Sequence, residues 1–169
     1  MPIRTATVFD AHSIAHIHIE CWRAAYRGQM PDIMLDALNA EQLAVLWQEQ
    51  LTQERRQVFV AGNGGRIVGF CDLIPSRDED ALLGRVAEIA AIDVLPEHWR
   101  KGVGGNLCHS ALTNAFRRGY RVVTPWVLDS NVAARHFFAA MGFGLDGATK
   151  TVMAIDGSQL HKIRFRMNL

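Results

Sequence analysis

The chain has 169 residues, 49% of them hydrophobic, and a formal net charge of +1 at pH 7. This length and composition are typical of one domain with a buried core, so residues 1–169 are expected to form a single domain. A net charge near zero offers no broad cationic face, which argues against nucleic acid or an anionic membrane as a partner. The sequence also lacks an apolar leader at MPIRTATVFD and any apolar run of membrane-spanning length, and this pattern predicts a cytoplasmic protein.

The hydrophobic pattern predicts helices and strands that alternate along the chain. A short edge strand in IRTATVF precedes Asp10, which is placed to cap a helix over AHSIAHIHIECWRAAY. The core face of that helix is expected to contain Ile14, Ile17, Cys21 and Ala24. The elements predicted downstream are a helix in EQLAVLWQEQL, paired strands QVFVAG and RIVGFCDLI around a turn at 63–65, a strand in AEIAAIDVLP, a helix over Gly104–Arg118, a strand in VVTPWVL, a helix over Asn131–Met141, and two closing strands around Asp156 and Gly157. This order predicts a mixed α/β fold, with the charged run SRDED at 76–80 as a solvated loop.

The segment PEHWRKGVGGNL, residues 96–107, brings two cations and three glycines to the start of a predicted helix. A helix N-terminus presents unpaired N–H groups that suit a phosphate, and glycine lets the anion approach the backbone. Arg100 and Lys101 add positive charge. The Walker and G-x-G-x-x-G motifs are both incomplete, because Asn106 and Leu107 follow Gly105. The segment therefore predicts a ligand with a phosphate or pyrophosphate, the alternative being glycines that serve only as turn residues.

Two segments of the chain resemble the signatures of the Gcn5-related N-acetyltransferase superfamily. The glycine segment resembles the acetyl-coenzyme A signature, Q/R-x-x-G-x-G/A after a strand ending in Val-x-Pro, and the matching residues are Val94, Pro96, Gly102 and Gly104. NVAARHFFAAMGF resembles the second signature, N-x-x-A-x-x-x-Y-x-x-x-G-F, and the matching residues are Asn131, Ala134, Gly142 and Phe143. ECWRAAYRGQMPD resembles the junction of the first two helices, so the similarity extends over most of the chain. Two positions depart from the pattern: Trp99 stands in place of Gln or Arg, and Phe138 in place of the usual tyrosine.

The resemblance implies a fold and a cofactor. The fold would be a mixed, mostly antiparallel sheet of six to seven strands with about four helices. The cofactor would be acetyl-coenzyme A, with coenzyme A as the product, and the residues expected to bind it are Ile92, Asp93, Val94, Arg100, Lys101, Gly102, Val103, Gly104, Gly105, Asn131, Ala134 and Phe138. The strand before the glycine segment would separate from its neighbour, so that its backbone N–H groups could bond the pantetheine arm and the thioester oxygen.

The implied reaction is direct transfer of the acetyl group to a primary amine within a ternary complex. A small-molecule amine is the expected acceptor. The alternatives are acetylation of a protein N-terminus or lysine, and a non-catalytic protein that senses acyl-coenzyme A. Dimers are common among the proteins that this chain resembles, so the resemblance also allows a homodimer.

The amine must lose a proton before it attacks, and a carboxylate in an apolar setting can accept that proton. Glu88 is the candidate base, because strand alternation groups it with apolar residues and because it aligns with the base of the histone acetyltransferases that this strand resembles. Asp93 is the alternative base and is expected on the opposite face, although a β-bulge would reset the alternation and turn Glu88 to water. With phenylalanine at 138, the thiolate leaves unaided or takes its proton from another donor.

Two interpretations are open for each of three other side chains. Trp22 and Tyr26 either form a wall of the acceptor site or pack in the core. Asn131 either caps its helix alone or also bonds the cofactor arm. No metal site is predicted, because His12 and His16 lie one turn apart without the third ligand of a zinc motif. The three cysteines are far apart in sequence and are interpreted as small buried hydrophobes.

Overall fold

The computed structural model describes residues 1–28, 30–63, 65–82, 84–154 and 157–169. The strands in this part of the chain are β1 (Ile3–Thr5), β2 (Gln57–Asn63), β3 (Arg66–Pro75), β4 (Val86–Val94), β5 (Val122–Leu128), β6 (Gly144–Met153) and β7 (Gln159–Asn168). The α-helices are α1 (Ala11–Tyr26), α2 (Asp32–Asp36), α3 (Ala40–Leu51), α4 (Val103–Arg117) and α5 (Val132–Ala140), with short 3₁₀ turns at Val8–Asp10 and Pro96–His98. The predicted turn residue Asp156 lies outside the described residues, as does position 64 of the turn at 63–65.

The described strands form one seven-stranded sheet in the order β1-β2-β3-β4-β5-β7-β6. All neighbouring strands are antiparallel except β4 and β5, which are parallel. The predicted mixed, mostly antiparallel sheet is therefore confirmed. The pairing of β4 with β5 runs only from Val86 opposite Val122 to Ile89 opposite Pro125. Beyond Ile89 the two strands separate, and the edge of β4 that faces β5 has no strand partner there.

Helices cover both faces of the sheet around β3. Phe70 packs edge-on against Trp47 of α3, with ring centroids 5.2 Å apart. The preceding residue, Gly69, lies close to Leu107 of α4. Because neighbouring residues of a strand point to opposite faces, α3 and α4 pack on opposite sides of the sheet. No helix of the described chain is both long and apolar enough to cross a membrane.

Two local expectations for α1 are wrong. Ala24 was expected in the core, but it is exposed in the last turn of α1. Asp10 does not cap α1 with its side chain. Its carboxylate instead accepts hydrogen bonds from Arg4 at 2.7 and 2.8 Å and from the Thr7 backbone N–H at 2.7 Å. A cation six residues upstream thus competes successfully for the carboxylate that the helix start could have used.

A β-bulge at Ala90 changes which residues of β4 share a face. Asp72 and Leu73 are adjacent in β3, yet they pair with Ala91 and Ile89, so Ala90 is an extra residue in β4. Glu88 therefore lies opposite Ile74 and Asp93 lies opposite Phe70. These two β3 residues are four positions apart and face the same side of the sheet. Glu88 and Asp93 consequently share a face, and the expectation of opposite faces is wrong.

The charged run at 76–80 is only partly a solvated loop. Asp78 and Asp80 both bind Arg164 of β7, with contacts of 3.1 Å to Asp78 and of 2.6 and 2.7 Å to Asp80. Arg164 also donates to Asp146 at 2.8 Å, and only 7% of its surface is exposed. The local sequence of the run is hydrophilic, but its cationic partner lies more than eighty residues later in the chain.

Candidate active site

A cleft of about 300 Å³ lies where β4 and β5 separate. Its lining includes Ile89–Asp93 of β4 and Pro125–Leu128 of β5. The C-terminal half of α1, the start of α5 and the β6–β7 hairpin supply the remaining walls. Small-molecule sites in proteins have volumes of roughly 300–1,000 Å³, so this cleft is at the small end of that range.

The loop between β4 and α4 ends in an arrangement that suits an anion. Arg100 and Gly102 both have positive φ, 58° and 79°. The first backbone bond of α4 runs from the Asn106 N–H to the Gly102 carbonyl, at 3.0 Å. The N–H groups of the residues in between therefore have no acceptor inside the helix, and they form a concave set of donors at the positive end of the helix dipole.

The three glycines of this loop meet different structural requirements. Gly102 adopts a left-handed conformation, and a Cβ there would meet no atom within 4 Å. A Cβ at Gly104 would lie 3.2 Å from the Phe137 ring of α5, and one at Gly105 would lie 3.7 Å from the Met141 sulfur. From the sequence, all three glycines are expected to let a ligand approach the backbone. In the structure, Gly102 serves the backbone turn and Gly104 serves the close packing of α4 on α5.

Trp99 holds the end of β4. Its indole N–H donates to the Val94 carbonyl at 2.5 Å, and the Cys21 thiol of α1 approaches the same oxygen at 3.0 Å. Lys101 is also engaged locally, because its ammonium donates to the Glu97 carbonyl at 2.8 Å. The residue that replaces the usual Gln or Arg thus fixes the backbone between the cleft and the anion-binding loop.

Asn131 joins α5 to α1. Its side-chain oxygen accepts from the Ala134 N–H at 3.0 Å, so the predicted N-cap is confirmed. This bond orients the amide, and the Asn131 NH₂ group then donates to the Tyr26 hydroxyl at 3.1 Å. Because Tyr26 accepts this hydrogen bond, its own O–H can be donated to another group in the cleft. Burial raises the pKa of Tyr26, which keeps the phenol protonated.

Aromatic rings form the α1 wall of the cleft. Trp22 packs edge-on against Tyr26 at 5.4 Å and lies tilted to His18 at 5.3 Å. All three side chains line the cleft and are only partly buried. Of the two interpretations of Trp22 and Tyr26, the wall of a cleft is the one that agrees with these positions.

His18 and Asp93 lie next to each other in the lining of the cleft. The His18 Nδ1 lies 3.0 Å from the Asp93 Oδ2, an ion-pair distance without the approach angle of a hydrogen bond. Their side chains keep 20% and 17% of their surface exposed, but Nδ1 itself has essentially none. The exposed part of the ring is therefore the part that points away from Asp93. His18 was not identified from the sequence, although its spacing of four residues from Trp22 places both on one stripe of α1.

Glu88 does not line the cleft, although the next residue, Ile89, does. Only 4% of its surface is exposed, and its Oε1 accepts from Arg77 at 2.9 Å. Among the described residues that line the cleft, Asp93 is the only carboxylate. The nearby Asp72 is 3% exposed, and burial raises its pKa to about 6. Arg56 is its closest cation, at 3.5 Å.

Phe138 is part of an aromatic cluster at the inner end of the cleft. Its ring contacts Phe137 and Phe143 edge-on, at 5.1 and 5.3 Å, and Phe165 at 6.1 Å. Only 4% of Phe138 is exposed. The cleft therefore has an apolar surface where the superfamily signature has a phenol.

The cysteines and histidines outside the cleft offer no further chemistry. All three cysteines are buried and unpaired, which confirms their interpretation as small hydrophobes. Burial raises the pKa of Cys108 to about 12, so it is a thiol and a poor nucleophile at neutral pH. His12 lies 3.7 Å from Glu41 on the surface, and within the described ranges no three His, Cys, Asp or Glu side chains are grouped to hold a metal.

Residues 11–143 match the model of the acetyltransferase (GNAT) family. YuaI, an uncharacterized N-acetyltransferase of Bacillus subtilis, is 29% identical over 130 residues, which cover 76% of this chain and 72% of YuaI.

Solved structures share the fold over almost the whole chain. The PaiA N-acetyltransferase of Thermoplasma acidophilum in complex with coenzyme A has a TM-score of 0.74 at 19% identity, covering 99% of this chain and 98% of PaiA. The ribosomal-protein-alanine N-acetyltransferase of Brucella melitensis has a TM-score of 0.78 at 22% identity, covering both chains fully.

Proposed function

The chain belongs to the acetyltransferase (GNAT) family, and we propose that it transfers the acetyl group of acetyl-coenzyme A to a primary amine of a small molecule, by direct attack within a ternary complex. The observation that carries this proposal is the separation of β4 from β5 beside the anion-binding start of α4. The cleft at that separation has a carboxylate, an imidazole and a phenol on its walls, and its volume suits a small acceptor.

The residues present fit acetyl-coenzyme A. The donors at the start of α4, with Arg100 and Lys101 nearby, would hold the pyrophosphate. The unpaired edge of β4 from Ala90 to Val94 would bond the pantetheine arm, with Asn131, Ala134 and Phe138 on the facing wall. When bound, acetyl-coenzyme A would supply an activated acetyl group and a thiolate leaving group. Backbone N–H groups of β4 would stabilise the charge that develops on the carbonyl oxygen.

We propose Asp93, together with His18, as the first acceptor of the proton that the amine must lose. Both side chains line the cleft, and the Asp93 carboxylate can stabilise the imidazolium that forms when His18 takes a proton. Glu88, the candidate base from the sequence, becomes the alternative in this proposal. It is buried and paired with Arg77, so it would receive the proton through an intervening water rather than from the amine directly.

We propose Tyr26 as the proton donor to the departing thiolate, in place of the phenol that Phe138 lacks. The hydrogen bond from Asn131 leaves the Tyr26 O–H available to a third group, and the raised pKa of the phenol keeps its proton in place. A thiol has a pKa of about 8.5, so this donation would assist a leaving group that is already stable.

The test is to follow coenzyme A release with a thiol reagent while small amines and peptides are supplied, and to measure acetyl-coenzyme A binding in parallel. We expect tight cofactor binding and release that depends on a small amine, with little release in the absence of an acceptor. Faster release with peptides than with any small amine would instead indicate a protein acetyltransferase. Binding without turnover of any acceptor would indicate an acyl-coenzyme A sensor.

A further inference from the structure

Two residues of opposite charge stand out in the lining of the cleft. Among the described lining residues, Asp93 on β4 is the carboxylate and Lys162 on β7 is the ammonium. The rest of the lining is apolar, aromatic or neutral apart from His18, which lies against Asp93. The cleft therefore combines one negative and one positive group within about 300 Å³.

Lys162 differs from the other cations of its wall. Arg77 is bound to Glu88 at 2.9 Å, Arg164 is bound to three aspartates, and the Lys150 ammonium lies 4.0 Å over the Trp126 ring. Within the described chain, Lys162 is within ion-pair distance of no carboxylate. A partly buried ammonium that no described carboxylate pairs is unfavourable, so an anionic ligand would stabilise it.

The surroundings of Lys162 favour an anion. Lys162 lies opposite Lys150 in the register of β6 with β7, and Arg77 is also near enough to influence it. Burial and these two cations lower the pKa of Lys162. Glu88 is the nearby opposing charge, but it already accepts a hydrogen bond from Arg77. Among the charges that act on Lys162, the two cations Lys150 and Arg77 therefore outnumber the one carboxylate, Glu88.

We propose that the acceptor is a zwitterion, a small primary amine that also carries an anionic group, and that Lys162 binds this anionic group. This inference rests on the proposed function, because it assigns the second substrate of the same cleft. The amine would lie toward Asp93 and His18, and the aromatic faces of Trp22 and Tyr26 would favour its cationic form before deprotonation. A carboxylate on the same molecule would accept a charge-assisted hydrogen bond from the Lys162 ammonium.

The same arrangement disfavours other amines. A diamine or polyamine would bring a second cation toward Lys162, Lys150 and Arg77, and like charges in a partly buried site are repelled. An amine without an anionic group would leave the Lys162 ammonium without a partner. The pantetheine arm cannot serve as that partner because it carries no charge. Lys162 is thus a specificity-determining residue in this assignment.

The experiment compares matched acceptors with and without the anionic group. Each of several α-amino acids is paired with the amine that remains when its carboxylate is removed, and kcat/KM is measured for both. In parallel, the dissociation constant of each compound is measured by calorimetry with coenzyme A present, which reports on binding even if no acetylation occurs. The wild-type protein is expected to prefer the amino acid at least about tenfold in both measurements, since a charge-assisted hydrogen bond commonly has an effect of this size.

Variants at Lys162 test the assignment of the residue. Lys162→Gln is expected to remove most of this preference by weakening the amino acid and not the simple amine, and Lys162→Arg is expected to retain it. Arg166→Gln is the matched control, because it removes an exposed cation from the same strand without removing a residue of the cleft lining. It should leave the preference intact.

The outcomes separate this inference from the proposed function. If no acceptor is acetylated but amino acids still bind preferentially through Lys162, the proposed function fails and only the binding of an anionic group by Lys162 holds. If amines are acetylated equally well with and without the carboxylate, the assignment is wrong and the proposed function holds. A Lys162→Gln variant that weakens both members of each pair equally would also overturn the assignment.

Discussion

At the scale of single residues, Asn131 connects the two sides of the cleft. One atom of its amide caps α5 and the other donates to the Tyr26 hydroxyl on α1. The cap decides the orientation of the amide, and the amide in turn decides which way the Tyr26 proton can point. A residue that the sequence signature associates with the cofactor thus also orients the hydroxyl that is proposed to donate a proton.

Replacement of Tyr26 by phenylalanine tests its proposed role as proton donor. Tyr26→Phe is expected to lower kcat about tenfold or more at neutral pH. This is less than general acid catalysis commonly contributes, because the thiolate is already a good leaving group. The dissociation constant for acetyl-coenzyme A should not change. Tyr120→Phe is the matched control, since Tyr120 is buried outside the cleft and loses the same hydroxyl.

Phe138→Tyr complements this test. The added hydroxyl would enter the aromatic cluster around Phe143 and Phe165, so the rate is expected to change less than about tenfold. A large gain in rate for Phe138→Tyr, with no loss for Tyr26→Phe, would show that Tyr26 is not the donor.

The base is tested by comparing Asp93→Asn, His18→Gln and Glu88→Gln. If Asp93 and His18 accept the proton, each of their variants should lower kcat/KM roughly a hundredfold, as loss of a general base commonly does. Glu88→Gln should have a smaller effect. The pH–rate profile is the decisive measurement, because loss of the base removes the acidic limb. If only Glu88→Gln removes that limb, Glu88 is the base.

At the scale of secondary structure elements, one extra residue in β4 organises the site. The bulge at Ala90 lies just beyond the last residue that pairs with β5. It turns Asp93 to the face that α1 covers, where His18 lies 3.0 Å away. Without the bulge, Asp93 would point to the α4 side of the sheet. The bulge also coincides with the start of the unpaired edge that the proposed cofactor would use.

The loop at 76–80 and β7 form a second element-level unit through Arg164. Arg164→Met is expected to lower the free energy of unfolding by roughly 3–5 kcal/mol, because three aspartates would lose a buried cationic partner. For a domain of this size that corresponds to a fall in Tm on the order of 10 °C. Thermal unfolding followed by circular dichroism measures it.

The surface pair of Arg135 with Asp129 provides the control for this prediction. It has a similar distance, 3.1 Å, but both side chains are 40% or more exposed. Arg135→Met should therefore change the free energy of unfolding by less than about 1 kcal/mol. Equal effects of the two variants would show that the Arg164 cluster adds no more to stability than an exposed pair.

At the scale of the whole molecule, Asp72 is expected to make stability depend on pH. Its pKa is raised to about 6 in the folded state, chiefly by burial. Between about pH 4 and pH 6 the folded protein thus holds a proton that the unfolded chain has released. The contribution of Asp72 to stability therefore falls as the pH rises through this window, by at most roughly 3 kcal/mol, and stays low above it.

Urea unfolding of the wild type and Asp72→Asn between pH 4 and pH 8 checks this sign. The variant should become more stable relative to the wild type as the pH rises. Asp10→Asn should instead run parallel to the wild type in this range, because hydrogen bonds from Arg4 lower the pKa of Asp10 below its ordinary value of 3.8. The Asp10 contribution is present at neutral pH and is lost as the pH falls through its folded pKa. A profile of Asp72→Asn that runs parallel to the wild type would contradict the Asp72 assignment, and a profile of Asp10→Asn that diverges from the wild type above pH 4 would contradict the Asp10 assignment.

The features that the sequence predicted well depend on neighbouring residues. The helices α1, α3, α4 and α5 and the glycine loop follow from periodicity and from short spacings, and the two signatures led to the correct family. The short α2 has too few residues to show a helical period. The features that were missed depend on distant contacts. The β4 bulge follows from pairing with β3, Arg164 and its aspartates lie far apart in sequence, and the role of His18 depends on Asp93, 75 positions later.

The position of β7 between β5 and β6 bears on how the chain folds as it is synthesised. β6 is made before β7, yet β7 is its partner in the described sheet. The strands β1 to β4 pair only with one another and with β5, so they can assemble while the rest of the chain is still being made. β6 must wait without a partner until β7 emerges and inserts beside β5. The half of the sheet that carries Lys162 is therefore completed last, and chains interrupted before Gln159 would expose two unpaired strand edges to aggregation.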